Sequence, residues 1–209
     1  LDFLGYGIDI TYGPLVKKLD ELRNYRQIRA EKILANINEE FRREGLQEFT
    51  DADMEEIQGS VDGAFGRPHI AAYMIEKGLV ADKQQAFDKY LVRCNVPKMP
   101  LSLKEASELV RASGGKLMLA HPNDPNGTSL KAFTSSIENQ QAIITDTMLE
   151  YIDGIECWHS RHDRATMDSY LCFARGKALM MTGGSDCHQS PLLMGTLDIP
   201  AYVAAQFGF

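Results

Sequence analysis

Apolar positions along this 209-residue chain change their spacing twice, and the changes divide it into three stretches. Residues 1–8, opening Leu1-Asp2-Phe3-Leu4-Gly5-Tyr6, read as a strand, and Asp9 to Pro14 read as a loop closed by a Gly-Pro pair. From Leu15 to Glu44 the apolar residues Leu15, Leu19, Leu22, Ile33, Ile37 and Phe41 recur at helical spacing with arginines and lysines between them, which predicts one long amphipathic helix ended by Gly45. The arginines read as a solvated face, with Arg23 and Arg26 within reach of an anion if this helix overhangs a site. Thr50 caps a short helix to about Gln58, Pro68 suits the first turn of another ending at Gly78, and Asp82 to Leu91 forms a third. Residues 15–99 are therefore expected to be an all-helical block.

Beyond Pro100 strands and helices alternate. Ser102 and Glu105 form a capping box for a helix ending at Gly114-Gly115. Strands are expected at Lys116–Ala120, Gly154–Trp158, Ala178–Thr182 and Gly195–Pro200, with helical material from Ser129 to Tyr151 and again through Arg175. Successive β-α-β units predict an α/β fold with a parallel sheet or barrel, built from residues 1–14 and 100–209 and interrupted by the helical insertion.

Composition narrows the class. With 44% hydrophobic and 24% charged residues the chain reads as a soluble globular protein, and no apolar run approaches the roughly 20 residues that span a bilayer. No signal peptide opens the chain, so a cytoplasmic location without membrane attachment is the simplest expectation. The net charge of −7 argues against stable binding to duplex nucleic acid, although a local basic patch could still hold a phosphate. Cys94, Cys157, Cys172 and Cys187 show no C-x-x-C spacing and read as small buried thiols rather than a zinc knuckle or disulfide scaffold.

The histidines carry the chemistry. His121, the pair His159 and His162, and Asp186 with His188 each follow an expected strand, and the fifth histidine, His69, opens a helix beside Arg67. Asp186 by itself fits an ordinary helix-capping turn, but four of five histidines behind strand ends fit ligands gathered at one rim of an α/β fold. Nitrogen and carboxylate donors without thiolates suit manganese, zinc or iron, and such a site would activate water and neutralise phosphate oxygens. Gly183-Gly184 is expected to turn the backbone sharply there. Arg67 and His69, at a helix N-terminus, read as a phosphate clamp or as a fortuitous basic N-terminus. Gly184-Ser185-Asp186 lacks the G-x-S-x-G elbow of a serine hydrolase.

In order, L-G-Y-G-I-D (Leu4–Asp9), G-R-P-H (Gly66–His69), L-A-H-P (Leu119–Pro122), G-I-E-x-x-H-S-x-H (Gly154–His162), G-G-S-D-x-H (Gly183–His188) and the closing M-G-T-L-D-I-P resemble the polymerase and histidinol phosphatase (PHP) superfamily. Within it the match is to metal-dependent phosphoesterases of the nucleoside 3′,5′-bisphosphate phosphatase and 5′-exoribonuclease type. The resemblance implies a distorted (β/α)7 barrel with the helical block inserted, up to three divalent ions, and hydrolysis of a small phosphorylated substrate, a nucleotide or short RNA. It implies His121, Asp186 and His188 as metal ligands, Arg67 and His69 as contacts to substrate phosphate, and His159 and His162 as catalytic residues beside the scissile phosphate. The family carries an H-x-H strand that is absent here, and Asp2 stands where a further His is usual. The chain is thus expected to lack its N-terminal strands, with Asp2 a substitute ligand and metal binding weaker or of lower nuclearity. A non-catalytic PHP domain used for protein contacts and a histidinol-phosphate phosphatase are the alternatives. Glu156 suits either the site or the edge of the core.

Overall fold

The computed structural model describes residues 1–59, 66–125, 128–187 and 193–208. The chain divides into two compact units, Leu1–Leu15 with Leu101–Phe209, and Val16–Pro100.

The first unit is a mixed α/β fold. Its four strands, β1 (Phe3–Tyr6), β2 (Lys116–Leu119), β3 (Gly154–His159) and β4 (Met180–Gly184), lie side by side in chain order. β2, β3 and β4 run parallel, whereas β1 pairs antiparallel with β2, Phe3 opposite Leu119 and Tyr6 opposite Lys116. The all-parallel expectation is corrected at that edge. The consequence for the site is direct: the antiparallel run brings the start of β1 to the C-terminal end of β2, and the Ala120 N–H donates to the Asp2 carbonyl at 3.1 Å. Asp2 thereby shares an end of the sheet with the loops after β2, β3 and β4.

The expected strand at Gly195–Pro200 is absent. Leu193 accepts a bond from the Thr196 N–H at 3.2 Å, Gly195 has φ +77°, and Pro200 has no donor for a ladder, so this segment turns instead of pairing. The exposed edge of β4 is met by a side chain: the Gln206 carboxamide, just beyond α8 (Tyr202–Ala205), accepts from the Met181 N–H and donates to the Met181 carbonyl, both at 3.0 Å. One amide group thus supplies the two bonds that a neighbouring strand would make.

Helices cover this sheet and begin on the caps their sequences offer. In α5 (Leu103–Ala112), α6 (Ile137–Thr147) and α7 (Arg164–Gly176), Ser102, Ser136 and Asp163 accept from the N–H groups of Glu105, Asn139 and Thr166. All six residues of β3 are buried, as a central strand covered on both faces requires. Leu119, Ile144, Ile155, Cys157, Tyr170 and Ala174 are among the side chains closing its core.

The second unit is helical: α1 (Gly13–Glu44) runs into it, followed by α2 (Asp51–Gly59), α3 (Arg67–Glu76) and α4 (Lys83–Ala86), which widens into a π turn at Phe87–Leu91. Thr50 and Asp53 cap α2 reciprocally, the Thr50 N–H donating to Asp53 at 2.7 Å and the Asp53 N–H to the Thr50 hydroxyl at 3.3 Å. Ile33, Ile37 and Phe41 of α1 are buried against Ile70, Met74 and Tyr90, so the apolar stripe read from the sequence is a packing face in its second half, while Leu19 is exposed. Among the described residues no helix is long and apolar enough to cross a membrane.

Gly154 opens the central strand because nothing larger fits: a Cβ there would lie 2.4 Å from Met118 Sδ and 2.5 Å from the Met180 carbonyl oxygen. Gly154→Ala is expected to lower unfolding free energy by about 1–3 kcal/mol. Gly176→Ala, where the added carbon meets nothing, is the control. Equal urea midpoints for the two variants would contradict this account of the sheet.

Candidate metal centre

The loops after β2, β3 and β4 meet through one buried carboxylate. Glu156, in the middle of β3, is 4% exposed, and its Oε2 accepts the His121 N–H at 2.8 Å. Its other oxygen fills the space above Gly184, where a Cβ would come within 2.6 Å of it. The Gly183-Gly184 pair is therefore still strand, and its missing side chains admit Glu156 and, at Gly183, the side chains of Trp158 and Ile199. The sharp turn expected at the glycines falls two residues later, on Asp186, with φ +49°. His121 also has a positive φ, 26°. Two non-glycine residues in this region, both at strand ends, mark backbone held by its surroundings against local preference. Burial raises the Glu156 pKa, with Asp186 adding to the effect and the His121 N–H opposing it.

Around Glu156 stand the candidate ligands. The rings of His121 and His159 are 5.5 Å apart, and those of His159 and His162 5.1 Å. Asp2 Oδ2 lies 3.7 Å from His121 Nε2 and accepts from the Thr128 hydroxyl. Asp124, His159 and Asp186 each offer a ligand atom within 4.8 Å of the other two. Asp124 was missed from sequence because it sits in a Pro- and Asn-rich turn that reads as plain loop; only the fold turns it inward, to 1% exposure. Among the described residues, His159 Nε2 and His121 Nδ1 are buried without a hydrogen-bond partner, an arrangement that costs free energy unless something else engages them. Burial pushes the His159 pKa down to about 4, with His162 contributing, so the ring is neutral near pH 7.

His162 is differently placed. Its Nδ1 faces the Cys157 carbonyl at 3.2 Å and its Nε2 accepts the Asn123 N–H at 3.3 Å, so both nitrogens face protein partners. The ring stacks on Tyr170, whose hydroxyl donates to Gln140 Oε1 at 2.5 Å, and the Gln140 amide donates to Asn123 Oδ1 at 2.9 Å. This buried network fixes the Asn123-Asp124 turn from behind.

Arg161, also missed from sequence, bridges two of the carboxylates, with Nη1 at 2.6 Å from Asp124 Oδ2 and 3.2 Å from Asp186 Oδ2. Arg67 and His69 belong to the helical unit. His69 Nδ1 accepts the Gly66 N–H at 3.1 Å and caps its own helix. Arg67 lines a cavity of about 390 Å³ together with Tyr25, Arg26, Arg29 and Lys98. Its guanidinium lies over the Phe87 ring and donates to the Leu91 carbonyl. Arg23 instead pairs with Asp20 at 2.8 Å. His188 lies outside the described residues.

No family model matches the chain. Among curated proteins it is 26% identical over 194 residues to a 5′-3′ exoribonuclease Rnm of Escherichia coli, across 90% of this chain and 60% of that protein. It is 25% identical over 199 residues to a 3′,5′-nucleoside bisphosphate phosphatase of Chromobacterium violaceum, across 88% of this chain and 61% of that protein. The chain is similar to PHP-type phosphoesterases. It spans about 60% of the length of these curated relatives. Two solved structures share its fold: a chain from Bifidobacterium adolescentis described as a metal-dependent phosphoesterase (TM-score 0.71, 22% identity, 98% of this chain and 69% of that one), and one from Chromobacterium violaceum described as an amidohydrolase with bound sulfate (TM-score 0.68, 24% identity, 98% and 71%).

Two measurements follow from this geometry. Tyr170→Phe removes the donor to Gln140 and is expected to cost about 1–3 kcal/mol, because an acceptor is left buried without its partner. An unchanged melting transition would show that the network does not brace the turn. The second concerns pH. His159 and His162 are both held below the ordinary value of 6.5 by burial, so between that value and about 4 the unfolded chain binds more protons than the folded one. Their contribution therefore falls as pH drops through this range, while that of Glu156, whose pKa is raised, runs the opposite way. In chelator, His159→Gln should lose less stability between pH 7 and 5 than the parent chain; an equal or larger loss contradicts the assignment.

Proposed function

We propose that this chain belongs to a metal-dependent phosphoesterase that hydrolyses phosphomonoesters or terminal phosphodiesters of nucleotides or short RNA. The observation that carries the reading is the convergence of Asp124, His159 and Asp186 within 4.8 Å, at a rim where two buried imidazole nitrogens have no partner among the described residues. The donor set is nitrogen and oxygen only, which fits manganese, zinc or iron. A divalent ion held by Asp124, His159 and Asp186 supplies activation of water and neutralisation of phosphate charge. His121, Asp2 and His188 extend the ligand set toward as many as three ions in the complete protein, and the four-stranded sheet is read as part of a distorted (β/α)7 barrel.

The remaining residues have roles that follow from their partners. Glu156 holds the His121 backbone in place, and His162, with both nitrogens facing protein groups, acts as a positioning residue for Asn123 and the adjacent Asp124. Arg67 and His69 take a substrate phosphate: both stand in the first turn of α3, and Arg67 shares its cavity with three further cations, Arg26, Arg29 and Lys98. Burial and the neighbouring Arg67 lower the Arg29 pKa, the expected effect of cations placed together and one that a bound anion relieves. Tyr25 in the same cavity offers a ring to a nucleoside, which favours a nucleotide over histidinol phosphate.

Phosphate release from adenosine 3′,5′-bisphosphate and from short RNA, by the complete protein with manganese, is the test. Asp124→Asn and Asp186→Asn should each lower kcat by about a hundredfold or more, since each removes a charged group from the reacting centre. Arg67→Met should act mainly on KM, raising it by about tenfold. Absence of hydrolysis with metal bound would refute the activity, and full activity in Asp124→Asn would remove that residue from the centre.

A further inference from the structure

Arg161 lies where a bound cation would need to be. Its Nη1 reaches Asp124 Oδ2 at 2.6 Å and Asp186 Oδ2 at 3.2 Å, and these residues are two of the three whose ligand atoms fall within 4.8 Å of one another. A single nitrogen thus engages two of the three residues. The Arg161 backbone N–H donates to His159 Nδ1 at 3.3 Å, which places the proton of the neutral ring on the buried Nε2. In that tautomer neither nitrogen of His159 is a free lone pair. One residue therefore opposes a metal at all three donors, through its side chain at the carboxylates and through its backbone at the imidazole.

We propose that Arg161 is an internal counter-ion that competes with the divalent cation for Asp124 and Asp186, and so sets how tightly the centre holds metal. The inference rests on the metal reading given above. It follows from the unequal burial of the three groups. The Asp124 side chain is fully buried, so its charge needs a partner at all times, whereas the side chains of Arg161 and Asp186 are 34% and 26% exposed and can move. Arg161 meets that need without metal. When metal enters, the guanidinium is displaced toward solvent, because a divalent charge at the same oxygens outweighs a univalent one. Arg161 lies on the short connection between β3 and α7, which allows its side chain to swing without disturbing either element.

Manganese titrations of the full chain by calorimetry test this. Arg161→Met should bind at least about tenfold more tightly than the parent chain, since the competing cation is gone. Arg164→Met removes an equal charge three residues away, from an arginine 87% exposed and paired with Asp168, and should bind like the parent. Equal tightening in both variants would reduce the effect to net charge and overturn the proposal, as would unchanged or weaker binding in Arg161→Met. A second measurement needs no variant: manganese should increase modification of Arg161 by phenylglyoxal, read by mass spectrometry, and unchanged or reduced labelling overturns the displacement. Failure of the parent and both variants to bind manganese would remove the metal reading and this proposal with it. Binding that ignores Arg161 would remove the proposal alone.

Discussion

A single buried carboxylate organises the end of the sheet where the chemistry is expected. Glu156 accepts the His121 N–H with one oxygen and fills the space above Gly184 with the other, so it ties the end of β2 to the facing residues of β4 from its place on β3. Burial raises its pKa, and the backbone bond it accepts offsets part of that cost. The left-handed backbone at His121 is held in the same way: its own N–H is anchored, and the Asp124 N–H donates to its carbonyl at 3.0 Å. Without Glu156 the strained turn would lose its main restraint, and the imidazole and Asp124 would lose their common frame.

The histidines at this rim divide by what surrounds their nitrogens. His162 faces protein partners at both nitrogens and stacks on Tyr170, within a chain of bonds through Gln140 and Asn123. His121 and His159 each keep one buried nitrogen without a partner. Such atoms are costly in a folded protein unless a ligand compensates them, and they stand beside carboxylates rather than in an apolar core. The contrast separates a histidine with both nitrogens engaged from two that each keep one nitrogen unengaged, although all three follow strands and look alike in sequence.

The helical unit presents the opposite electrostatics. Against a net charge of −7 for the chain, one of its cavities is lined by Arg26, Arg29, Arg67 and Lys98. Carboxylates and imidazoles gather at the candidate centre of the α/β unit, whereas cations line this cavity of the helical unit.

Much of the architecture was legible before any coordinates. The period of the apolar residues gave the long helix and the change to alternating strands, and Ser102, Asp82 and Thr50 marked helix starts because capping is a local interaction written within three or four residues. The placement of histidines after β2 and β3 was equally local. The strand expected at Gly195–Pro200 failed because an apolar alternation says nothing about whether a partner edge is free, and here Gln206 meets the edge of β4. Asp124 and Arg161 could not be found from spacing, since nothing adjacent in sequence distinguishes a loop aspartate that turns inward from one that does not. The chain by itself determined which residue types stand at the ends of which elements. Tertiary structure alone decided which of them meet, because the antiparallel pairing of β1 and the space left by Gly184 act between segments far apart in sequence, and contacts of that kind leave no periodic trace.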